Sequence, residues 1–478
     1  MKERNSLRAI EITTDQLGTA LEGWFRTDEL ETLARKTGFI QRSTSRLSGR
    51  GIFNLLTVEI LEEPHISYEG LCDILEARTP SLQLSPQALC ERMNSEGAVN
   101  FLRACLEKTL KETTAKPLTV QETAWLTHFP RVLLQDSTQI QVHEKLTESF
   151  KGSGGNSGSA SIKLDYSYDV KNETAEQFAI RQGIDNDQGY AQNLTDKIQE
   201  GDLVIRDLGY FCLDFFAHLA SVGGYFLSRL KANVNIYLTV EAEQPIKLGQ
   251  HLKCLGKSGN TLEFTGFLGQ KQRLPVRLIA YRLPPDVYRE RQRAAIKTAK
   301  RKGRRISLSS LKLLKYSVFI TNVPANWWHK DAVGTIYRLR WQIELTFKHW
   351  KSLFHIHVLK GTRAERLLCL LYGRLIVILL VQRLLAHASR QAIHQQRELS
   401  FSKAIQWLMR SQRFLKAFLD RQLTELLKCM MSSLKRLLKQ KRKRRTTWGL
   451  IEQQAPYLDS FAESKHFVCE TLIHVGCT

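Results

Sequence analysis

Four side chains with complementary chemistry recur at helical spacing within one segment of the chain. Positions 337–351 read YRLRWQIELTFKHWK, contain neither Gly nor Pro, and are predicted to form a single continuous helix. At about 100° per residue, four side chains fall within roughly 60° of one another on that helix: Tyr337, Arg340, Glu344 and Lys351. The row would be about 21 Å long, which is too long for one small-molecule pocket and suits contact with a polymer backbone.

An apolar row is predicted beside this polar row, along the same helix. It consists of Ile336, Ile343, Phe347, Trp350 and Phe354. Glu344 would therefore lie at the edge of a buried stripe. Two interpretations are open for it there: a metal ligand beside a row of anion-binding side chains, or half of an ion pair on a solvated helix face.

Two Asp residues upstream each close an apolar run that is predicted to be a β-strand. The runs are RVLLQD, ending at Asp136, and LVIRD, ending at Asp207. Three carboxylates can bind two divalent cations about 3.5–4 Å apart, which activate an oxygen nucleophile and neutralise charge at a phosphodiester. A structural interpretation of Asp136 is also open, in which its carboxylate accepts hydrogen bonds from the amides of Ser137 or Thr138.

The four-residue row, preceded by these two Asp residues, resembles the Tyr-Arg-Glu-Lys motif of the cut-and-paste DDE transposases of the insertion sequence 4-like family. All four residue types match at the family's spacing. The resemblance implies a catalytic triad of metal ligands that binds two Mg²⁺ ions, for which Mn²⁺ could substitute. Asp136 would bridge the two ions, and Asp207 and Glu344 would be the outer ligands.

The other members of the row are predicted to contact DNA. Arg340 and Lys351 suit phosphate clamps, which position DNA without reading its sequence. In the family, the Tyr and Arg of the motif contact phosphates near the cleaved end, and this assignment falls on Tyr337 and Arg340.

Three residues outside the row are further candidate DNA contacts. Tyr316 occupies the place where a related transposase carries a Trp that stacks on a flipped base, and a Tyr ring can also stack, at about 1–3 kcal/mol per base. The alternative for Tyr316 is an ordinary strand aromatic. Arg229 and Lys163 lie on predicted strands that would face the site, whereas Trp341 is expected to pack in the interior.

The composition favours nucleic acid as the partner. Lys and Arg number 70 and Asp and Glu 47 among 478 residues, which gives a net charge of +23 and implies a polyanion, either nucleic acid or an acidic membrane surface. The chain shows no lipidation motif and no signal peptide, so DNA is favoured and a membrane partner is not expected.

The apolar run 367–385 is interrupted by Arg374, Gln382 and Arg383 and is predicted to be a buried helix. Nine scattered Cys without a CxxC indicate a reducing compartment and no structural zinc, and we expect a cytoplasmic, nucleoid-associated prokaryotic protein.

The predicted fold class is α/β, with five segments. Residues 1–125 are expected to be helical and are a candidate DNA-binding domain, in which 66–75 and 85–93 form either a helix-turn-helix or part of a plain bundle. Residues 126–231 give three strands, a helix, a strand, a helix and a strand, the order of a ribonuclease-H-like core, whose first and fourth strands are neighbours. Residues 232–320 are predicted to be a β-rich insertion with strands at VNIYLTV, HLKCL, TLEFTGF and PVRLIAYRL. Residues 321–390 would complete the core, and 391–478 would be helical and basic, with the run 435–445 either contacting DNA or promoting solubility.

The resemblance implies a homodimer that binds the inverted-repeat ends of its own insertion sequence. It would cut there and join the 3′-hydroxyls to target DNA, so its partner would be double-stranded DNA at both the element ends and the target. Two alternatives remain open: a metal-dependent DNA nuclease of the same fold, and a non-catalytic DNA-binding regulator.

Overall fold

The protein has a mixed α/β fold. The computed structural model describes residues 12–42, 45–61, 66–115, 125–152, 159–255, 260–301, 303, 305–395 and 397–439. The described residues divide into two compact units: the first unit contains those between 12 and 115, 134 and 187, and 341 and 439, and the second unit contains those between 125 and 133 and between 188 and 340. The domain boundaries predicted from the sequence stay a prediction.

The α-helices of the described residues, in chain order, are α1 Thr14–Gly23, α2 Thr27–Lys36, α3 Gly49–Thr57, α4 Tyr68–Arg78, α5 Pro86–Met93, α6 Glu96–Ala115, α7 Asp187–Tyr190, α8 Leu213–Ser221, α9 Leu248–Leu255, α10 Pro285–Arg301, α11 Leu308–Leu313, α12 Lys330–Tyr337, α13 Trp341–Leu353, α14 Ala364–His394, α15 Phe401–Met409, α16 Arg413–Leu419, α17 Leu423–Ser432 and α18 Leu434–Leu437. The strands are β1 Val132–Gln141, β2 Ser161–Asp169, β3 Thr174–Gln182, β4 Leu203–Arg206, β5 Tyr225–Arg229, β6 Ile236–Tyr237, β7 Thr261–Leu268, β8 Leu274–Arg282 and β9 Tyr316–Thr321.

The first unit is organised around helix α14, which packs against α3 and α6. Among the described helices it is the one long and apolar enough to cross a membrane, and 89% of its most apolar window is buried inside the protein, as is typical of a core helix. The prediction of a buried helix over 367–385 is therefore confirmed. Gly373 permits the close approach to α3, because a Cβ at this position would lie 1.9 Å from the carbonyl oxygen of Leu56.

The hairpin of β2 and β3 supports helix α13 in the same unit. The two strands pair antiparallel from Ile162 opposite Gln182 to Asp169 opposite Thr174. On this hairpin the ring of Tyr166 lies 4.7 Å from Trp350 of α13. The face of α13 that carries Ile343, Phe347 and Trp350 is buried, as the apolar row predicts.

The strands of the second unit follow the order β4-β5-β9-β8-β7-β6. β4 and β5 are parallel, which suits their connection through helix α8, and the later neighbours are antiparallel. Phe215, Phe216 and Phe226 belong to the core of this unit. At the start of β4 the Leu203 amide donates to the Arg131 carbonyl over 3.0 Å, so the residue that leads into β1 lies beside β4.

Part of the predicted strand content of the insertion is wrong. The letters HLKCL belong to helix α9, not to a strand. Leu248 and Leu252 lie four residues apart on α9 and pack in one apolar cluster with Leu262 of β7, a helical spacing that a five-residue window does not reveal. In VNIYLTV only Ile236–Tyr237 forms a strand, whereas TLEFTGF lies within β7 and PVRLIAYRL, except for its last residue Leu283, lies within β8.

Candidate active site

A cleft of about 500 Å³ in the first unit brings together three of the predicted site residues. Asp136 enters it from β1, and Glu344 and Lys351 enter it from α13. Its complete lining is Asp136, Ser137, Glu344, Phe347, Lys348, Lys351, Ser352 and His357. The cleft therefore combines two carboxylates with the ammonium groups of two lysines.

Lys351 ties α13 to β1 at this cleft. Its Nζ donates a hydrogen bond to the backbone carbonyl of Gln139 over 3.3 Å. Burial lowers the pKa of the Lys351 ammonium, because removing the charge from water disfavours the protonated form. Glu344 is half-buried beside the apolar face of α13, at the edge that the sequence predicts for it.

Asp136 lies within a strand rather than at its end. β1 continues to Gln141, so the predicted end of this strand is wrong: the apolar run stops at Asp136, but the alternating TQIQ that follows still suits a half-buried strand. The amide of Ser137 donates to Asp136 Oδ1 over 2.8 Å, which is the hydrogen bond of the structural interpretation. A carboxylate has about four acceptor sites, so this bond and metal ligation are compatible.

Asp207 belongs to a second cluster, in the second unit. It follows the last residue of β4 directly, as predicted. The Tyr337 hydroxyl donates to Asp207 Oδ1 over 3.4 Å and to the Arg206 carbonyl over 3.3 Å. Arg340 Nε lies 3.8 Å from the same Asp207 oxygen. Burial first, and then the Asp207 charge, raise the pKa of the Tyr337 phenol, which keeps its proton at neutral pH and remains a hydrogen-bond donor.

The prediction of one continuous helix over 337–351 is wrong. Tyr337 is the last residue of α12, and Arg338–Arg340 form a 3₁₀ turn before α13 begins at Trp341. A 3₁₀ turn has about three residues per turn, so the helical wheel of an uninterrupted α-helix does not apply across it. The motif is thus divided into two pairs. Tyr337 and Arg340 lie beside Asp207, and Glu344 and Lys351 lie beside Asp136.

The three candidate DNA contacts outside the motif lie in different local environments. Lys163 Nζ donates to the Asp185 carbonyl over 2.6 Å and pairs with Asp187 Oδ1 at 3.0 Å, so its charge is compensated within the first unit. Tyr316 begins β9 and is half-buried against the apolar cluster of α9 and β7. Arg229 ends β5 and is half-buried, and its charge acts on the pKa of Tyr337.

The interior position predicted for Trp341 is wrong, because its side chain is 51% exposed. Trp341 precedes Ile343 by two residues, about 200° around a helix, and so lies away from the buried face of α13.

Sequence reasoning missed Lys348, Ser352 and His357 as lining residues of the cleft. Lys348 follows Glu344 by four residues, so helical spacing could have revealed it. His357 lies in the segment after α13, where no periodicity places it. Buried Arg374 of α14 holds that segment through hydrogen bonds from Nη1 to the carbonyls of His355 and Val358 at 2.7 and 2.6 Å.

Comparison with known proteins points to one family. The family model described as "Transposase DDE domain" matches residues 127–380. The chain is 33% identical over 391 residues to the transposase for insertion sequence element IS231B of Bacillus thuringiensis subsp. berliner, covering 79% of this chain and 81% of that protein. It is 30% identical over 380 residues to the transposase for IS1151 of Clostridium perfringens, covering 76% and 79%. The solved piggyBac transposase synaptic complex with hairpin DNA has a TM-score of 0.43 and 12% sequence identity to this chain, and the match covers 90% of this chain and 87% of that one.

The family match and the relatives define an enzyme that acts on DNA. The chain belongs to the DDE transposases of insertion sequences, a family of divalent-metal-dependent enzymes that cleave DNA and transfer its strands. The resemblance read from the motif is thereby confirmed.

The donor set of the cleft fits a hard divalent cation. Asp136 and Glu344 contribute carboxylate oxygens, the ligands that Mg²⁺ prefers. Within the described part of the chain, no group of three or more His, Cys, Asp or Glu side chains lies close enough together to hold an ion. The two carboxylates of the cleft are therefore a partial ligand set.

Proposed function

We propose that this transposase binds the inverted-repeat ends of its own insertion sequence as a homodimer, cuts them, and joins the 3′-hydroxyls to target DNA. The observation that carries the proposal is the shared cleft of Asp136, Glu344 and Lys351 in the first unit. A carboxylate pair next to ammonium groups suits a phosphodiester held beside metal ions. We expect the enzyme to act at the nucleoid, in the cytoplasm of a prokaryote.

In this proposal Asp136, Asp207 and Glu344 hold two Mg²⁺ ions in a ribonuclease-H-like core, and Mn²⁺ could substitute. When bound, the ions would activate the attacking oxygen and stabilise charge on the phosphate. Two observations support the core: its elements occur in the expected order from β1 to β5, and the Leu203 amide bonds to the residue preceding β1.

The remaining residues of the motif would position DNA. Lys351 supplies a cation within the cleft, and Arg340 supplies one beside Asp207. The neutral Tyr337 hydroxyl is a donor to a phosphate oxygen once it exchanges its long hydrogen bond to Asp207. Arg229 is a further phosphate contact near Tyr337, and Tyr316 a candidate stacking residue. Lys163 would reach DNA only by leaving its pair with Asp187.

Replacing Mg²⁺ by Ca²⁺ tests the metal part of the proposal. Ca²⁺ also takes oxygen ligands but tolerates longer distances and irregular geometry, so complexes with element ends should assemble while cutting is lost. Gel shift measures assembly and denaturing electrophoresis measures cutting on the same DNA fragment. Efficient cutting in Ca²⁺ would contradict a two-Mg²⁺ site, and restoration of cutting by added Mn²⁺ is the positive control.

A further inference from the structure

Helix α10 of the second unit presents a basic stripe that the proposed active site does not use. Along Pro285–Arg301, no residue is fully buried. At about 100° per residue, four basic side chains fall within roughly 80° of one another: Arg289, Arg293, Lys297 and Lys300. All four are exposed, and the stripe from the first to the last is about 16 Å long.

The opposite face of α10 attaches the helix to the second unit. Arg291 Nη1 donates to Ser317 Oγ of β9 over 3.0 Å. Tyr288, Arg291 and Ala295 are half-buried on this face. The basic stripe therefore points away from the surface on which the helix rests, and it is held in a fixed direction.

Charge within the stripe is poorly compensated. Arg289, Arg293 and Lys297 follow one another at intervals of four residues, where like charges repel one another along a helix. Within the described residues, none of the stripe's four side chains forms a salt bridge. A bound polyanion would neutralise these positive charges, and the relief of their mutual repulsion would favour binding.

The attached face of α10 and Arg229 both contact strand β9: Arg291 bonds to Ser317, and Arg229 pairs with Phe319. The charge of Arg229 acts on the pKa of Arg291 as well as on that of Tyr337. Arg229 therefore lies near the attached face of α10 and near Tyr337, whereas the stripe is on the opposite face of the helix. The exposed Arg and Lys side chains of the stripe recur at helical spacing and suit a row of phosphate contacts, which carry no sequence information.

We propose that the stripe of Arg289, Arg293, Lys297 and Lys300 binds the phosphate backbone of target DNA. The proposal rests on the proposed function. Element ends have a fixed sequence, whereas target sequences vary between insertions. Phosphate contacts do not depend on base sequence, so they suit binding of target DNA.

The test compares two fourfold variants in the full-length protein. In the first variant all four residues become Gln, and in the second the charge is kept by R289K, R293K, K297R and K300R. Uncut element ends measure end binding and end cutting, and pre-cut ends with an unrelated duplex measure capture of that duplex, each at several salt concentrations.

The Gln variant should keep wild-type end binding and end cutting but lose duplex capture by about tenfold or more near 150 mM salt. The slope of log affinity against log salt for capture should become less steep by about 3 to 4. The charge-conserving variant should capture the duplex as wild type does, because phosphates require charge and not a particular side-chain geometry. Circular dichroism verifies that both variants are folded.

Unchanged capture and an unchanged salt slope in the Gln variant would show that the stripe is an ordinary solvated face. Equal losses in end binding and capture would place it on the element end and overturn the assignment to target DNA. Loss of capture in the charge-conserving variant would indicate base readout and also contradict the proposal. Absence of cutting by the wild type would instead refute the proposed function, independently of the stripe.

Discussion

Lys351 contributes a positive charge inside the cleft that contains two carboxylates. Lys351→Ala should weaken assembly with element ends, and the salt slope of end binding should become less steep by about 1, since one phosphate contact is lost. Gel shifts over a range of salt concentrations measure both quantities. Lys351→Arg, which keeps the charge, is the matched control and should preserve the slope. An unchanged slope in Lys351→Ala would show that this side chain does not bind phosphate.

His387 makes the first unit sensitive to acid. Its Nε2 lies 3.0 Å from Thr14 Oγ1, and burial, with a smaller effect from Arg390, lowers its pKa to about 4. In the unfolded chain a His has a pKa near 6.5, so between about pH 6.5 and 4 the unfolded state binds more protons. The free energy of unfolding should therefore fall as the pH drops through this window, by up to about 3 kcal/mol.

Thermal unfolding of His387→Gln between pH 4 and 8 measures this effect. The variant should lose less stability on acidification than the wild type does, because Gln does not titrate. His143→Gln, at an exposed position, is the matched control and should behave as the wild type does. Identical pH profiles for wild type and His387→Gln would contradict the explanation by burial.

The packing of α14 on α3 depends on a single glycine. Gly373→Ala would place a Cβ 1.9 Å from the carbonyl oxygen of Leu56, so the two helices must move apart. We expect a loss of about 3 kcal/mol or more in the free energy of unfolding, seen as a lower melting temperature. Gly249→Ala is the matched control within a helix: its nearest neighbour would be 3.7 Å away, and it should leave stability unchanged or slightly raised. Equal melting temperatures for the two variants would contradict this account of the packing.

Elements with a clear period could be predicted from the sequence. The apolar run of α14 lies where the pattern places it, and Asp207 follows its strand directly. The break between α12 and α13 could not be predicted, because Arg338–Arg340 contain only good helix formers. Leu339 within that turn is fully buried. Tertiary packing of this side chain can therefore stabilise a turn that the helix propensities of the three residues do not predict.

The two predicted helices of a helix-turn-helix exist as α4 and α5, and Ser85 Oγ caps α5 by accepting from the Ala88 amide. Their exposed side chains include Glu69, Asp73 and Glu91. Negative charge on this surface disfavours contact with phosphates and favours the alternative of a plain helical bundle.

Over the whole molecule, the net charge of +23 is distributed unevenly between elements. It is concentrated in α10 and in the run 435–445, of which residues 440–445 lie outside the described part of the chain, whereas α4 is acidic. Each compact unit contains one Asp of the predicted triad together with one pair of the Tyr-Arg-Glu-Lys motif. The proposed activity therefore requires both units of the chain.

The most direct test of the account is excision of the native element by wild type and by Glu344→Gln. The gene is supplied in cells beside its own flanking DNA, and binding of the purified proteins to the element ends is measured in parallel. The wild type should excise the element, whereas Glu344→Gln should bind the ends as tightly or more tightly, because a negative charge near phosphate is removed, and excise nothing. Excision by Glu344→Gln would contradict its role as a metal ligand, and loss of end binding by the variant would show a structural role instead.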